Sequence, residues 1–335
     1  MIDQRISLPD LPAIAGIAVR AFDPVRDYPA LADLITASNV ADDLGWLIGA
    51  DGLQAQYEHQ DEFDPRRDVV VVELEGGLIA GAETSVRTRD GIAVHQVEGW
   101  VRPDHRRRGL GRALLRWTEA RSAEVARVDG RTGERVTAAW PDSEQVGAIA
   151  LFESEGYRIV RYGFMMLRDL ADPIPERPLP AGLEMRPVEP ADLRRIWDAD
   201  AEAFRDHWAR AEPTDSDFER WMAIPENDSS AWLVAWDGDE VAGSVMPMVF
   251  AEDNATLGLS RGWLEHITVR RPWRRRGLAS ALIVRALHDL RGRGLSEAAL
   301  GVDAVNPTGA LSLYETLGFE RSRTGVNYRK ALVVG

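Results

Sequence analysis

Two stretches of this 335-residue chain decide how the rest is read: VRPDHRRRGLGRALL, Val101–Leu115, and VRRPWRRRGLASALI, Val269–Ile283. They stand half a chain length apart. Weaker matches around them keep the same order. Ile17–Arg20 corresponds to Leu183–Arg186, Ala80-Gly81 to Ala242-Gly243, and FESEGYRIV from Phe152 to YETLGFERS from Tyr314. Self-similarity in one register marks a tandem duplication. Between the copies lies DLADPIPERPLPAG, where Pro173, Pro175, Pro178 and Pro180 forbid a helix or a central strand and predict a stiff linker. The expected division is an N-terminal domain over 1–170, a Pro-rich linker over 171–182 and a C-terminal domain over 183–335.

Each copy carries one pattern of elements. A first strand (17–22; 183–188) precedes one or two helices (27–38 and 51–60; 190–205 and 215–223). A hairpin follows (Val69–Leu74 with Leu78–Arg87; Ala231–Asp237 with Glu240–Phe250), its turns marked by Gly-Gly or Asp-Gly. The fourth strand ends at Val101 or Val269. Then come a helix (110–127; 278–292), a fifth strand (134–140; 297–303), a last helix (144–155; 307–317) and a closing strand pair (157–168; 319–332). Strands alternating with helices predict an α/β fold, a mixed sheet with flanking helices.

Composition narrows the function. Acidic residues number 54 against 40 basic ones, a net charge of −14, which disfavours nucleic acid and anionic membranes as partners. It is compatible with a cationic small molecule. The absence of cysteine excludes disulfides, thiolate metal sites and a cysteine nucleophile. No apolar run approaches the ~18 residues of a membrane span. The opening MIDQRISLPDLPAIAG lacks a basic start before an apolar core, so no signal peptide and a cytoplasmic location are expected.

The duplicated loop is Arg106-Arg107-Arg108-Gly109-Leu110-Gly111 in the first copy and Arg274-Arg275-Arg276-Gly277-Leu278-Ala279 in the second. Each follows an apolar strand and opens an apolar-periodic helix. Glycine allows a tight turn and close ligand approach. The free N–H groups of the first helical turn and the helix dipole favour an anion. A dinucleotide fingerprint would need a third glycine, which both copies lack. A nucleic-acid patch would need neither the glycine nor the preceding strand.

This arrangement resembles the acyl-CoA pyrophosphate loop of the GNAT superfamily of N-acyltransferases. Asn306, Ala310, Leu313-Tyr314-Glu315 and Leu317-Gly318-Phe319 resemble that superfamily's C-terminal signature. The tandem layout and Ala203–Trp208 are similar to mycothiol synthase-like tandem acetyltransferases. The resemblance implies two tandem GNAT-fold domains, acetyl-CoA as cofactor and a small-molecule amine as acceptor, in a monomer or homodimer. It implies CoA contacts from Val101, Arg106, Arg107, Arg108, Gly109, Leu110, Gly111 and Arg112. In the second copy they come from Ile267, Thr268, Val269, Arg274, Arg275, Arg276, Gly277, Leu278, Ala279, Ser280 and Asn306. Asn306 serves equally well as a cap of the last helix, with Pro307 at its first position. No metal site is implied.

The chemistry implied is attack of an amine on a thioester. A base takes the amine proton, a strand N–H stabilises the oxyanion, and an acid protonates the departing thiolate. Tyr314 stands where the acid is expected; its alternative is a buried aromatic. Glu265 stands where the base is expected; its alternative is an ordinary strand carboxylate. His266 alternates to the other face of the strand and reads as structural. Asp206, His207, Trp208 and Trp221 are candidates for the acceptor site. For the tryptophans a core role, and for Asp206 a turn cap, fit as well. In the first copy Phe152 replaces Tyr314, Glu144 aligns with Asn306, and Val97 aligns with Glu265. Glu98 is one residue off and so expected on the opposite face. The second copy is therefore expected to be catalytic and the first degenerate. A non-catalytic CoA-binding regulatory or scaffold protein is the alternative.

Overall fold

The computed structural model describes residues 6–306 and 309–334. By contacts the chain forms two compact units: unit 1 comprises Met1–Val160 with Val326–Gly335, and unit 2 comprises Arg161–Gly325. The division differs from the one the repeat suggests. The closing strand of each copy is a single long strand, not a pair, and most of its ladder partners belong to the other copy.

Unit 1 runs β1 (Ile17–Ala21), α1 (Tyr28–Ala41), α2 (Ala50–Glu58), the single turn α3 (Pro65–Asp68), β2 (Val69–Leu74), β3 (Gly77–Arg89), β4 (Ile92–Val101), α4 (Leu110–Val128), β5 (Arg135–Ala139) and α5 (Val146–Ser154). β1 to β4 form an antiparallel meander, β4 pairs β5 in parallel, and residues Tyr328–Ala331 pair β5 antiparallel. Val69–Val72 are buried on both faces, so this strand is an unbroken valine run rather than an alternation. One face of the sheet packs on α1 and α2, the other on α4.

Unit 2 repeats the plan. β6 (Arg158–Asp169) enters it from Arg161 and pairs β11 antiparallel. Then come β7 (Glu184–Met185), α6 (Leu193–Ala203), α7 (Asp215–Ala223), β8 (Leu233–Asp237), β9 (Glu240–Met248), α8 (Ala251–Leu257), β10 (Arg261–Val269), α9 (Leu278–Gly292), β11 (Glu297–Asp303), α10 (Ala310–Thr316) and β12 (Glu320–Ala331). The expected strand over 183–188 shrinks to two paired residues, in keeping with Pro187, which cannot donate to a ladder. The helix expected over 190–205 is α-helical only in its middle and 3-10 at both ends. α8 was not anticipated; its polar AEDNATL carries no apolar period. α9 packs so closely on β10 that a Cβ on Gly262 would meet Leu290 at 2.5 Å. The Pro-rich segment is irregular, as expected, but Ile174 and Leu179 pack onto the α9-side core. No helix among the described residues is long and apolar enough to cross a membrane.

Tyr328 is 1% exposed and shares a cluster with Val97, Leu115 and Tyr157 of unit 1. Tyr328→Ala is expected to cost unit 1 about 3–5 kcal/mol, the usual range for truncating a buried aromatic. Urea unfolding followed by hydrogen exchange should show that loss in unit 1 amides, with unit 2 amides unchanged.

Candidate active site

The two Arg-Gly loops have one conformation. Gly109 (φ 92°) and Gly277 (φ 85°) are left-handed and stand at the N-cap of α4 and α9. Two residues earlier, Arg107 (φ 63°) and Arg275 (φ 60°) are left-handed as well. Neither helix start is capped by a side chain, so the amides of its first turn remain available for an anion.

The arginines divide into two kinds. Arg106 Nε donates to the Val101 carbonyl at 3.1 Å, and its other nitrogens bond Ser38 of α1 and Asp42 just past its end. Arg274 repeats this: Nε donates to the Val269 carbonyl at 2.9 Å, and the fork bonds Asp206 and the Ala203 carbonyl. These two pin the loop to the strand before it and to the helix pair. Arg107 and Arg275 are exposed and take no partner among the described residues, which leaves them free for phosphate. Arg108 bonds the Asp104 carbonyl, Arg276 the Ala181 carbonyl, and Arg112 pairs with Glu155.

Asp206 is held by both Arg271 and Arg274, and these bonds keep its carboxyl well below the usual carboxylate range. It is the counterpart of Asp42. A carboxylate so engaged fastens the loop, which displaces the expected role of holding a substrate ammonium. Asn306 makes a turn with Asp303, and α10 starts only after Gly309, a left-handed N-cap; Asn306 is thus not its cap. Pro307 lies outside the described residues.

The sheet of unit 2 opens beside β10. β10 pairs β11 only at Arg261–Trp263, although β10 continues to Val269 and β11 to Asp303. The backbone groups of Ile267–Val269 that do not bond β9 therefore face a gap. On the β9 side the register slips between Glu265 and Thr268, and His266 has φ 47°. This is a β-bulge, one extra residue on one strand. Leu264 and Val269 pack on the α9 side, while Glu265 lies opposite Met246, which packs with Ile196 and Ala199 of α6. Cross-strand partners share a face. The bulge also turns His266 to that face: its Nδ1 is 2.6 Å from Asp200 Oδ2, and its ring lies 4.1 Å from Trp221 and 5.5 Å from Phe204. His266 is thus beside Glu265, against the expectation of strict alternation.

Burial raises the Glu265 carboxyl above its ordinary value, and the neighbouring His266 opposes the rise only in part. Burial disfavours the imidazolium of His266, but Asp200 outweighs it and holds that pKa above its ordinary value. The Glu265 carboxylate takes no hydrogen bond or ion pair among the described residues. His207 packs 4.3 Å from the Phe204 ring, and burial lowers its pKa. Trp221 is part of the α6–α7 cluster. Trp208 lies under the Arg161 guanidinium, which also pairs with Asp303. Tyr314 sits in the α9-side core at 6% exposure, edge-on to Phe319, and burial pushes its phenol up to about 12. Sequence reasoning missed Asp200 and His266. Their only local signal, a histidine adjoining a strand glutamate, says nothing without the bulge.

In each unit a mixed sheet opened beside its fourth strand leads into a left-handed glycine loop whose uncapped helix start can receive an anion. Residues 193–319 match the model of the acetyltransferase (GNAT) family, and residues 65–159 match that of an acetyltransferase (GNAT) domain. A mycothiol acetyltransferase of Salinispora arenicola is 32% identical over 313 residues, covering 91% of this chain and 94% of that protein. The crystal structure of a GCN5-related N-acetyltransferase from Sphaerobacter thermophilus is 30% identical, with a TM-score of 0.70 over 97% of both chains. A tandem GNAT protein from the clavulanic acid biosynthesis pathway shares the fold at a TM-score of 0.67, 18% identity and 95% of this chain. This chain belongs to the GNAT acetyltransferase family; it is an acetyltransferase with two GNAT domains.

The loop geometry makes a direct test of Asp206. Asp206→Ala should weaken coenzyme A binding roughly tenfold, the scale of a lost charge-assisted contact. Calorimetry checks it. The acceptor KM should stay within about twofold, whereas an ammonium-holding Asp206 would show the reverse.

Proposed function

We propose that unit 2 moves an acetyl group from acetyl-CoA directly to the amine of a small molecule. The observation that carries this reading is the Glu265 carboxylate on the bulged stretch of β10, free of hydrogen bonds among the described residues and beside the gap toward β11. Glu265 takes the proton of the attacking amine; a carboxylate whose proton affinity burial has raised is better matched to that work. His266, held by Asp200, keeps a positive partner next to it. As the N–C bond forms, the free amides along Ile267–Val269 steady the thioester oxygen. As the C–S bond breaks, Tyr314 gives its proton to the sulfur. A phenol kept protonated by burial is a competent donor to a thiolate. The chain has no cysteine, which supports transfer without a cysteinyl acyl-enzyme. The likeness to a mycothiol acetyltransferase across nine-tenths of the chain makes that enzyme's acceptor the first to assay.

Tyr314→Phe should lower kcat by about 10²–10³ with little change in acetyl-CoA KM, within the usual range for an acid–base group. A steady-state assay of thiol release reads it; an unchanged kcat would remove the acid assignment. Gly277→Glu puts a side chain and a like-charged group where the loop is left-handed, and should abolish turnover. Gly109→Glu, checked for folding by circular dichroism, should leave it.

A further inference from the structure

Unit 1 departs from unit 2 by one residue, and that residue changes what unit 1 keeps. β3 and β4 pair without a break from Ala80↔Val101 to Arg89↔Ile92. There is no bulge to match the one at His266. Counting back from the loop, Val97 matches Glu265 in sequence, but the extra residue in β10 shifts the match by one in space. Val97 packs with Leu115 of α4, and Val101 beside Leu110 and Leu114 of α4. Glu98 therefore faces the other way, toward α1 and α2, on the face where unit 2 carries Glu265. The reading of Glu98 as a wrong-face residue is overturned.

Glu98 lies opposite Glu83 in the ladder. Glu83 is 6% exposed and accepts a hydrogen bond from the Tyr57 hydroxyl of α2. Glu98 is solvent-exposed, its carboxylate takes no hydrogen bond or ion pair among the described residues, and it lines a cavity of about 420 Å³. That cavity follows the gap between β4 and β5, which pair only over Ala93–Gln96. Trp46, Trp100 and Trp140 line it with Glu98, and Gly111 of the loop helix borders it. Two like charges opposite one another in a sheet repel. Burial first, and Glu98 second, raise the Glu83 carboxyl to about 8, so the pair holds a proton near neutrality. With one proton held, the pair still carries one negative charge, which a cation placed against Glu98 would meet, and indole faces favour cations as well.

We propose that unit 1 is a second ligand site, which takes the ammonium group of a small primary amine against Glu98, inside a tryptophan-lined cavity next to its Arg-Gly loop. Phe152, at the position of Tyr314, offers no proton to a leaving sulfur, so the site binds an amine without transferring to it.

The test is fluorine NMR on the full chain labelled with 5-fluorotryptophan, its resonances assigned by single Trp→Phe variants. Cyclohexylammonium at pH 7 should shift the Trp46, Trp100 and Trp140 resonances saturably, and the neutral isostere cyclohexanol should not. Glu98→Gln should weaken the ammonium at least tenfold, with the core Trp117 resonance reporting that unit 1 is folded. Should that variant not fold, Trp46→Ala replaces it: the side chain is exposed, and its loss should weaken binding severalfold. Equal binding of cyclohexanol, no saturable shift, or unchanged affinity in the folded variant would overturn the proposal.

Discussion

A single extra residue in β10 decides which side chains meet in unit 2. A strand without it would send Glu265 and His266 to opposite faces. With it, the carboxylate and the imidazole lie side by side between the sheet and α6–α7, and Asp200 fixes the ring. The left-handed φ at His266 costs on the order of 1 kcal/mol or more for a residue with a Cβ. Packing of Trp221 and Phe204 against the ring, and the bond to Asp200, offset that strain. The bulge also coincides with the end of β10–β11 pairing, so the strand's free edge and its acidic face meet at one place.

The loop that follows is positioned by a second device, present twice. In both units an arginine turns back to the carbonyl that ends the strand and to a carboxylate beyond the first helix: Arg106 to Asp42, Arg274 to Asp206. This fixes the left-handed glycine over the helix N-terminus and leaves Arg107 and Arg275 outside, free to meet an anion. The duplication thus preserved the Arg-Gly loop more faithfully than the positions of Glu265 and Tyr314. Tyr314 has become Phe152 and the bulge is missing from β4. The carboxylate persists as Glu98, but now opposed by Glu83.

The fold was largely legible in the sequence because its signals are local. The apolar period from Leu278 to Gly292 gave α9 its limits, and the valine run and Gly76-Gly77 turn marked β2 and β3. The anion loop was legible for the same reason: strand, glycine and helix are contiguous. What escaped depends on partners far along the chain. A bulge leaves no trace in a pattern of alternation, so His266 and Glu98 were each assigned to the wrong face. The salt bridges that occupy Asp206 come from arginines 65 and 68 residues away. The exchange of closing strands between the two sequence copies follows from ladder partners, which one sequence does not specify.

The account stands or falls on Glu265 acting as the base. The direct measurement is the pH dependence of kcat/KM for acetyl transfer, in the wild type and in Glu265→Gln. Since the group must be ionised to accept a proton, activity should fall as pH drops through its raised pKa, giving an acid limb above the ordinary carboxylate range. In Glu265→Gln that limb should vanish and kcat/KM should fall by about 10²–10³. A limb that persists unchanged in Glu265→Gln would contradict the account.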